Sequence, residues 1–260
     1  MKLDEFKNHH KKFYLLWGQE EVSRLARFSE ILKKSPVEST KYLLVSGDSI
    51  GFTDSYRAVA IKATNVVEKI EESVGYYSPD LLPLLKKAQE IALLADYTLA
   101  VRVKEEVHIF TPIMSWKVPD IAQIANLIHA DAERVSFFTD IFSEKEMPVA
   151  DLLSWKAICE SFRSNDLNLM CPRFYFTHEG ISVKAELGKS HLEMTFPIPL
   201  KLECEKVLNP KFIDLWLKAT VKEKVVATLL YTSKESSAVC FEIPNLKYVI
   251  MPIAWRKGGK

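Results

Sequence analysis

The chain repeats itself at a distance of about half its length. Ser78-Pro79-Asp80 opens a run that offers a capping residue followed by proline at the first helical position, and it continues to Lys87-Ala88. Asn209-Pro210-Lys211 opens a second run in the same way, 131 positions further on, and its Lys218-Ala219 falls at the same distance from the start. A second pair of helices agrees at an offset of 130: Val22, Leu25, Phe28 and Leu32 form one apolar stripe, and Leu152, Trp155, Ile158 and Phe162 another with identical spacing. Strand-like alternation follows each helix. In the first half it covers Lys41–Ser46, Ile50–Thr53, Ala58–Lys62, Thr98–Val103 and Val107–Phe110. In the second it covers Arg173–Thr177, Ile181–Ala185, His191–Phe196, Val225–Tyr231, Ala238–Glu242 and Tyr248–Met251. The pattern reads as a helix followed by three strands, four times over, grouped two per domain. The expected class is therefore α+β, in two repeated domains, each with two helices packed on antiparallel sheets. An N-terminal extension at 1–18 precedes domains at 19–130 and 131–260, with the boundary in the stretch from Ala130 to Met147 and Phe137–Phe142 as a linking strand.

Composition removes several classes of function. With 260 residues, 48% of them hydrophobic, two cores are within reach. Charge is balanced, 35 basic against 34 acidic, so nothing suggests a global polycation and any nucleic-acid surface has to be local. No apolar run has membrane-spanning length, and Met1-Lys-Leu-Asp-Glu5 is too charged for a signal peptide, so a soluble, intracellular protein is expected. Cys159, Cys171, Cys204 and Cys240 show no paired spacing and read as free thiols. His9 and His10 lie in a lysine-flanked polar stretch, and His108 alternates with Val107 and Ile109 as an outward-facing residue. Eight glycines include no phosphate-binding spacing, and neither a nucleophile elbow nor a zinc helix motif occurs. No enzyme, cofactor or metal site is expected.

Two short segments stand out. Leu246–Trp255 is almost wholly apolar and rich in strand formers, at a place where chains usually fray. Pro252 lacks an amide hydrogen, so Ile250–Ile253 can pair with a sheet edge only incompletely. Read alone, it is an edge strand sealing its own core. The other segment is Thr53-Asp-Ser-Tyr-Arg57, whose Asp54 and Arg57 read as a turn and an ion pair. Basic residues mark the polar side of the helices: Arg24, Arg27 and Lys34 on the first, Lys86 and Lys87 at the end of the second, Lys156 and Arg163 on the third, Lys211 and Lys218 on the fourth. Glu20, Glu30, Glu160 and Asp214 interrupt them, yet four net-positive faces suggest a common wall toward an anion.

These segments, in this order, resemble the bacterial DNA polymerase III beta clamp family. Thr53-Asp-Ser-Tyr-Arg-Ala-Val59 resembles that family's T-D-G-H-R-L-A, and Val118-Pro-Asp-Ile-Ala-Gln-Ile124 resembles its F-P-D-Y-R-R-V. Tyr248-Val-Ile-Met-Pro-Ile-Ala-Trp255 resembles its terminal Y-V-(V/I)-M-P-(M/I)-R-L. The resemblance covers roughly 19–255 and corresponds to the family's second and third domains, without a counterpart of the first. It implies two clamp-like domains and a DNA sliding clamp, a polymerase processivity factor that encircles duplex DNA without reading sequence, in the cytoplasm at the nucleoid. Rings of six such domains make a two-domain chain a candidate for a head-to-tail homotrimer. It also implies that a DNA polymerase and a clamp loader dock short hydrophobic peptides in an inter-domain groove. That groove would use Thr53, Ser55, Tyr56, Arg57, Ala58, Pro119, Gln123, Ile124, Tyr248, Val249, Ile250, Met251, Pro252 and Ile253. The basic helix residues named above would face DNA.

The chain departs from the family at Ser55-Tyr56, Gln123 and Ala254, which changes the expected peptide preference. Two rival readings stay open. One is a clamp-like interaction or regulatory protein that keeps the groove and forms no ring; the other is an enzyme using Asp54, Arg57 or a histidine.

Overall fold

The computed structural model describes residues 13–33, 41–113, 118–126, 131–143, 145–161, 172–187 and 190–253. The chain divides into two compact units, Met1–Leu127 with Asn245–Tyr248, and Ile128–Pro244 with Val249–Lys260. Both units are α+β, with few helices laid on antiparallel sheets.

The first unit runs β1 (Phe13–Trp17), α1 (Gln19–Phe28), α2 (Glu30–Lys33), β2 (Tyr42–Gly47), β3 (Ser49–Thr53), β4 (Arg57–Lys62), β5 (Asn65–Val66), β6 (Ile70–Tyr77), α3 (Ser78–Leu85), β7 (Glu90–Leu94), β8 (Leu99–Val103), β9 (Glu106–Phe110) and α4 (Ile121–Ala125). One sheet has the order β5-β1-β7-β8-β9, and β6-β2-β3-β4 form a second. Trp17 is fully buried and its indole Nε1 donates to Ile61 O at 3.1 Å. The expected extension at 1–18 therefore contributes a strand: the alternating run Phe13–Trp17 buries Leu15 and Trp17 and pairs with β7.

On α1 the stripe Val22, Leu25 and Phe28 is completely buried, as its spacing requires. The stripe continues to Leu32, which lies on α2. Ser78 and Pro79 start α3, with proline in its first turn. In the register Thr53↔Ala58 and Gly51↔Ala60, β3 and β4 make a hairpin. A Cβ at Gly51 would stand 1.8 Å from Val59 O and 3.0 Å from Ile121 Cγ1, so only glycine fits there without displacing the strand pair and α4.

The second unit runs β10 (Glu133–Phe138), α5 (Val149–Ser161), β11 (Arg173–Thr177), β12 (Gly180–Leu187), β13 (Ser190–Phe196), β14 (Cys204–Val207), α6 (Pro210–Thr220), β15 (Val226–Tyr231) and β16 (Val239–Ile243). One sheet has the order β13-β12-β11-β14, and β10-β15-β16 form the other. The last strand, β17 (Leu246–Ile250), changes allegiance after Tyr248.

Asn209 caps α6 through its side chain, which accepts from Lys211 N at 3.0 Å, with Pro210 in the first turn. Trp155, Ile158, Phe174, Phe196, Trp216 and Phe241 fill the core, with Trp216 stacked on Phe241 at 5.2 Å and Trp155 edge-on to Phe196 at 5.3 Å. Phe162 lies outside the described residues.

The expected linking strand at Phe137–Phe142 is corrected. The strand ends at Phe138, and Thr139–Phe142 make a 3-10 turn. Thr139 there exchanges hydrogen bonds with Val225, N to O at 3.0 Å and Val225 N to Thr139 Oγ1 at 3.1 Å. Phe142 then turns inward, edge-on to Phe196 at 5.0 Å. The helix-and-three-strands pattern also leaves out β1, β5, β6, β7, β10 and β14.

Candidate functional site

In the first unit, the Thr53–Arg57 segment is a turn fixed from several directions. Asp54 is the hub. Its Oδ1 accepts from Tyr56 N at 3.1 Å and Arg57 N at 3.0 Å, and its Oδ2 holds Arg57 Nε at 2.9 Å. Asp54 N donates to Arg57 O at 3.2 Å, and Thr53 Oγ1 donates to the same carbonyl at 3.0 Å. Ser55 N donates to Thr53 Oγ1 at 3.2 Å, with Ser55 in the left-handed region at φ +72°. Asp54 and Arg57 are both buried, which raises the strength of their pairing and the cost of breaking it. The one large side chain the turn sends outward is Tyr56, 59% exposed.

Behind the turn stands Tyr248, fully buried, with its ring 5.1 Å from that of Phe28. Burial pushes its phenol well above the ordinary tyrosine range, and a hydrogen bond with Arg57 offsets this only in part. The turn and the first half of β17 thus share one buried polar cluster of Asp54, Arg57 and Tyr248.

The Val118–Ile124 motif forms the start of α4. Asp120 caps it by accepting from Gln123 N at 2.9 Å, and Ser46 Oγ accepts from Ala122 N at 2.9 Å. Ile121 and Ala125 pack on Leu44, Ala58 and Ala60, with Tyr42, Val118 and Ile124 at the margin. Lys247 Nζ donates to Asn126 Oδ1 at 3.0 Å beyond the helix end. The structure therefore places Ala58, Pro119, Gln123 and Ile124 around one short helix.

In the second unit, Val249 and Ile250 are buried, Val249 against Leu230 and Cys240. Met251 is 38% exposed, Pro252 and Ile253 are half-buried, and Ile253 N donates to Val207 O at 2.8 Å. Pro252 has no amide to give, as expected.

The candidate docking residues divide by burial. Thr53, Arg57, Ala58, Tyr248, Val249 and Ile250 have buried side chains, because they sit on core-facing strand positions or in the ion-paired turn. Ser55, Tyr56, Pro119, Gln123, Ile124, Met251, Pro252 and Ile253 retain accessible area.

The basic helix residues differ in exposure and pairing. Arg24 is buried rather than solvent-facing, paired along the helix with Glu20. Lys218 is exposed but its Nζ lies 2.6 Å from Asp214 Oδ2, and Asp214 also accepts from Trp155 Nε1 at 3.4 Å. Arg27, Lys86, Lys87, Lys156 and Lys211 are exposed. On α1 Arg24 pairs with Glu20, on α5 Lys156 stands one turn before Glu160, and on α6 Lys211 and Lys218 flank the single Asp214. Acids interrupt these faces, and on α6 the two lysines outnumber the single aspartate. Lys34 and Arg163 lie outside the described residues.

Asp54 and Arg57 are consumed by their turn. His108 Nε2 lies 3.7 Å from Glu106 Oε2, and His178 Nδ1 lies 2.9 Å from Leu200 O. Among the described residues no group of His, Cys, Asp and Glu is arranged to hold a metal, and Cys159, Cys204 and Cys240 form no disulfide. Burial, with help from Asp214, pushes the Cys159 thiol up to about 12, which keeps it protonated and unreactive. No helix among the described residues is long and apolar enough to cross a membrane.

No protein-family model matches the chain, and no curated protein matches its sequence. Solved structures do. The DNA polymerase III beta subunit of Thermotoga maritima matches with a TM-score of 0.66 at 15% identity, over 94% of this chain and 65% of that one. The DNA polymerase sliding clamp of Bacillus subtilis matches at 0.63 and 11% identity, over 96% and 66%. The DNA polymerase III beta subunit of Pseudomonas aeruginosa matches at 0.66 and 14% identity, over 94% and 67%. At these identities the likeness establishes the fold: this chain has the sliding-clamp fold, and it spans about two thirds of the length of the clamps it matches.

Proposed function

We propose, with the sliding-clamp fold as premise, that the chain acts as a non-catalytic DNA sliding clamp. Three copies of the chain, two domains each, close into a six-domain ring around duplex DNA. Hydrophobic peptides of a polymerase and its loader dock on Ser55, Tyr56, Pro119, Gln123, Ile124 and Met251–Ile253. The observation that carries this reading is the fold match over 94% of the chain. The locked turn that presents Tyr56 supports the docking part, since a fixed aromatic and a flexible methionine suit a peptide with one or two apolar anchors.

A ring makes a topological link, so its inner surface needs only loose phosphate contacts. Helix faces on which acids interrupt the bases, as on α1 and α6, are compatible with that. They also favour the second reading, a clamp-like interaction or regulatory protein that binds clamp-motif peptides without enclosing DNA. Mass in solution separates the two. Light scattering over a hundredfold concentration range should give a trimer; a monomer throughout would eliminate the ring and leave the second reading.

A further inference from the structure

Lys206 is 1% exposed and sits in the middle of the four-residue strand β14, a core position where an apolar side chain is the ordinary choice. It stands opposite Phe174 in the β11–β14 register, so its stem lies among the aromatic core residues. Its ammonium donates to Lys234 O at 2.6 Å and Ser237 O at 3.2 Å. Both carbonyls belong to the connection between β15 and β16, which closes on itself through Ser237 N donating to Lys234 O at 3.1 Å. Burial lowers the proton affinity of Lys206, opposed by the neighbouring Cys204 and Glu235. A buried cation is retained at such a cost only where its donors meet acceptors, and two backbone carbonyls supply them here.

The next residue, Val207, accepts the Ile253 amide at 2.8 Å. One short strand therefore carries two ties on successive residues: inward to the 234–237 connection, and outward to the chain end that holds Met251 and Ile253.

We infer that Lys206 is a positioning residue for the terminal docking segment: its ammonium locks β14 to the 234–237 connection, and β14 in turn holds Ile253 in place. The inference rests on the docking role proposed above for Met251–Ile253. Lys206 acts through β14 and touches no peptide.

The decisive experiment is native-state hydrogen exchange on the full chain, read at the amides of Ile253, Ser237 and, as a reference inside the β11–β12 pair, Val183. In the wild type, Ile253 and Ser237 should open in one event, with the same denaturant dependence, distinct from Val183. In Lys206→Met, which keeps the volume and loses the donors, protection at Ile253 and Ser237 should fall by about tenfold or more while Val183 keeps its own. Lys206→Arg, which restores donors, should recover part of it. Separate opening of Ile253 and Ser237 in the wild type, or unchanged protection in Lys206→Met, would overturn the inference. The wild-type measurement decides even if the Met variant does not fold.

Docking is read separately, with a synthetic six-residue peptide carrying two apolar anchors. Wild-type binding weakened about tenfold in Lys206→Met supports the whole chain of argument. No binding by the wild type would remove the docking proposal, with the exchange data still deciding the role of Lys206.

Discussion

The turn at Thr53–Arg57 and the segment Met251–Ile253 are proposed to receive the same peptides, yet they are held in opposite ways. The turn is tied by a buried ion pair, two side-chain bonds to backbone amides and a threonine hydroxyl. Ile253 follows a proline without an amide, and its N donates to Val207 O. In the proposed docking role the turn would be the rigid side, fixing register, and Met251–Ile253 the adaptable side, accommodating different anchors. The rigid side carries its cost in the fold, whereas the adaptable side carries its cost at binding.

The largest expected effect comes from breaking the rigid side. Asp54→Ala leaves Arg57 buried without its carboxylate and should cost about 3–5 kcal/mol of stability, measured by denaturant unfolding. A cost below about 1 kcal/mol would mean that the turn is held by its backbone alone. Breaking the adaptable side should look different. Met251→Ala or Ile253→Ala should weaken peptide docking by about fivefold to thirtyfold while lowering stability by no more than about 1 kcal/mol. If both losses were equally large in stability, the contrast between the two sides would collapse.

Two smaller effects sharpen the comparison. Tyr248→Phe should cost about 1 kcal/mol at neutral pH through its bond to Arg57. Its pH dependence has a definite sign. The folded phenol holds its proton more tightly than the unfolded one, so the wild type should lose stability as pH rises above about 10, where unfolded tyrosine ionises. The phenylalanine variant should lose less, and parallel alkaline curves for the two proteins would contradict the burial of that hydroxyl. Last, Ser55→Gly should raise stability by up to about 1 kcal/mol, because Ser55 occupies φ +72° where glycine carries no steric cost. A loss would show that the serine side chain makes a contact outweighing the backbone strain.

What the sequence disclosed follows from how each residue is used. The proline-started helices were legible because a cap and a fixed φ are local chemistry, and Asn209 caps α6 as its position suggested. Hairpin β3–β4 was legible from alternation. Strand β6 was hidden because Glu71 and Glu72 interrupt its apolar pattern, and β14 because its core position holds Lys206. The turn and ion pair of Asp54 and Arg57 could be read from their spacing. What could not be read is that Arg24 folds under Glu20, or that Lys218 pairs with Asp214, since both depend on which rotamer and which neighbour a helix finds in three dimensions. Local rules picked out the segments; which of their side chains are buried was decided by tertiary packing.

The central proposal is topological, and one measurement addresses it directly. The assembled protein is loaded on nicked circular duplex DNA, washed in high salt to remove surface-bound protein, and the DNA is then cut once. A ring predicts retention on the circle through the wash and release on linearisation. Equal retention before and after the cut, or complete loss in the salt wash of intact circles, would contradict a clamp that encloses DNA.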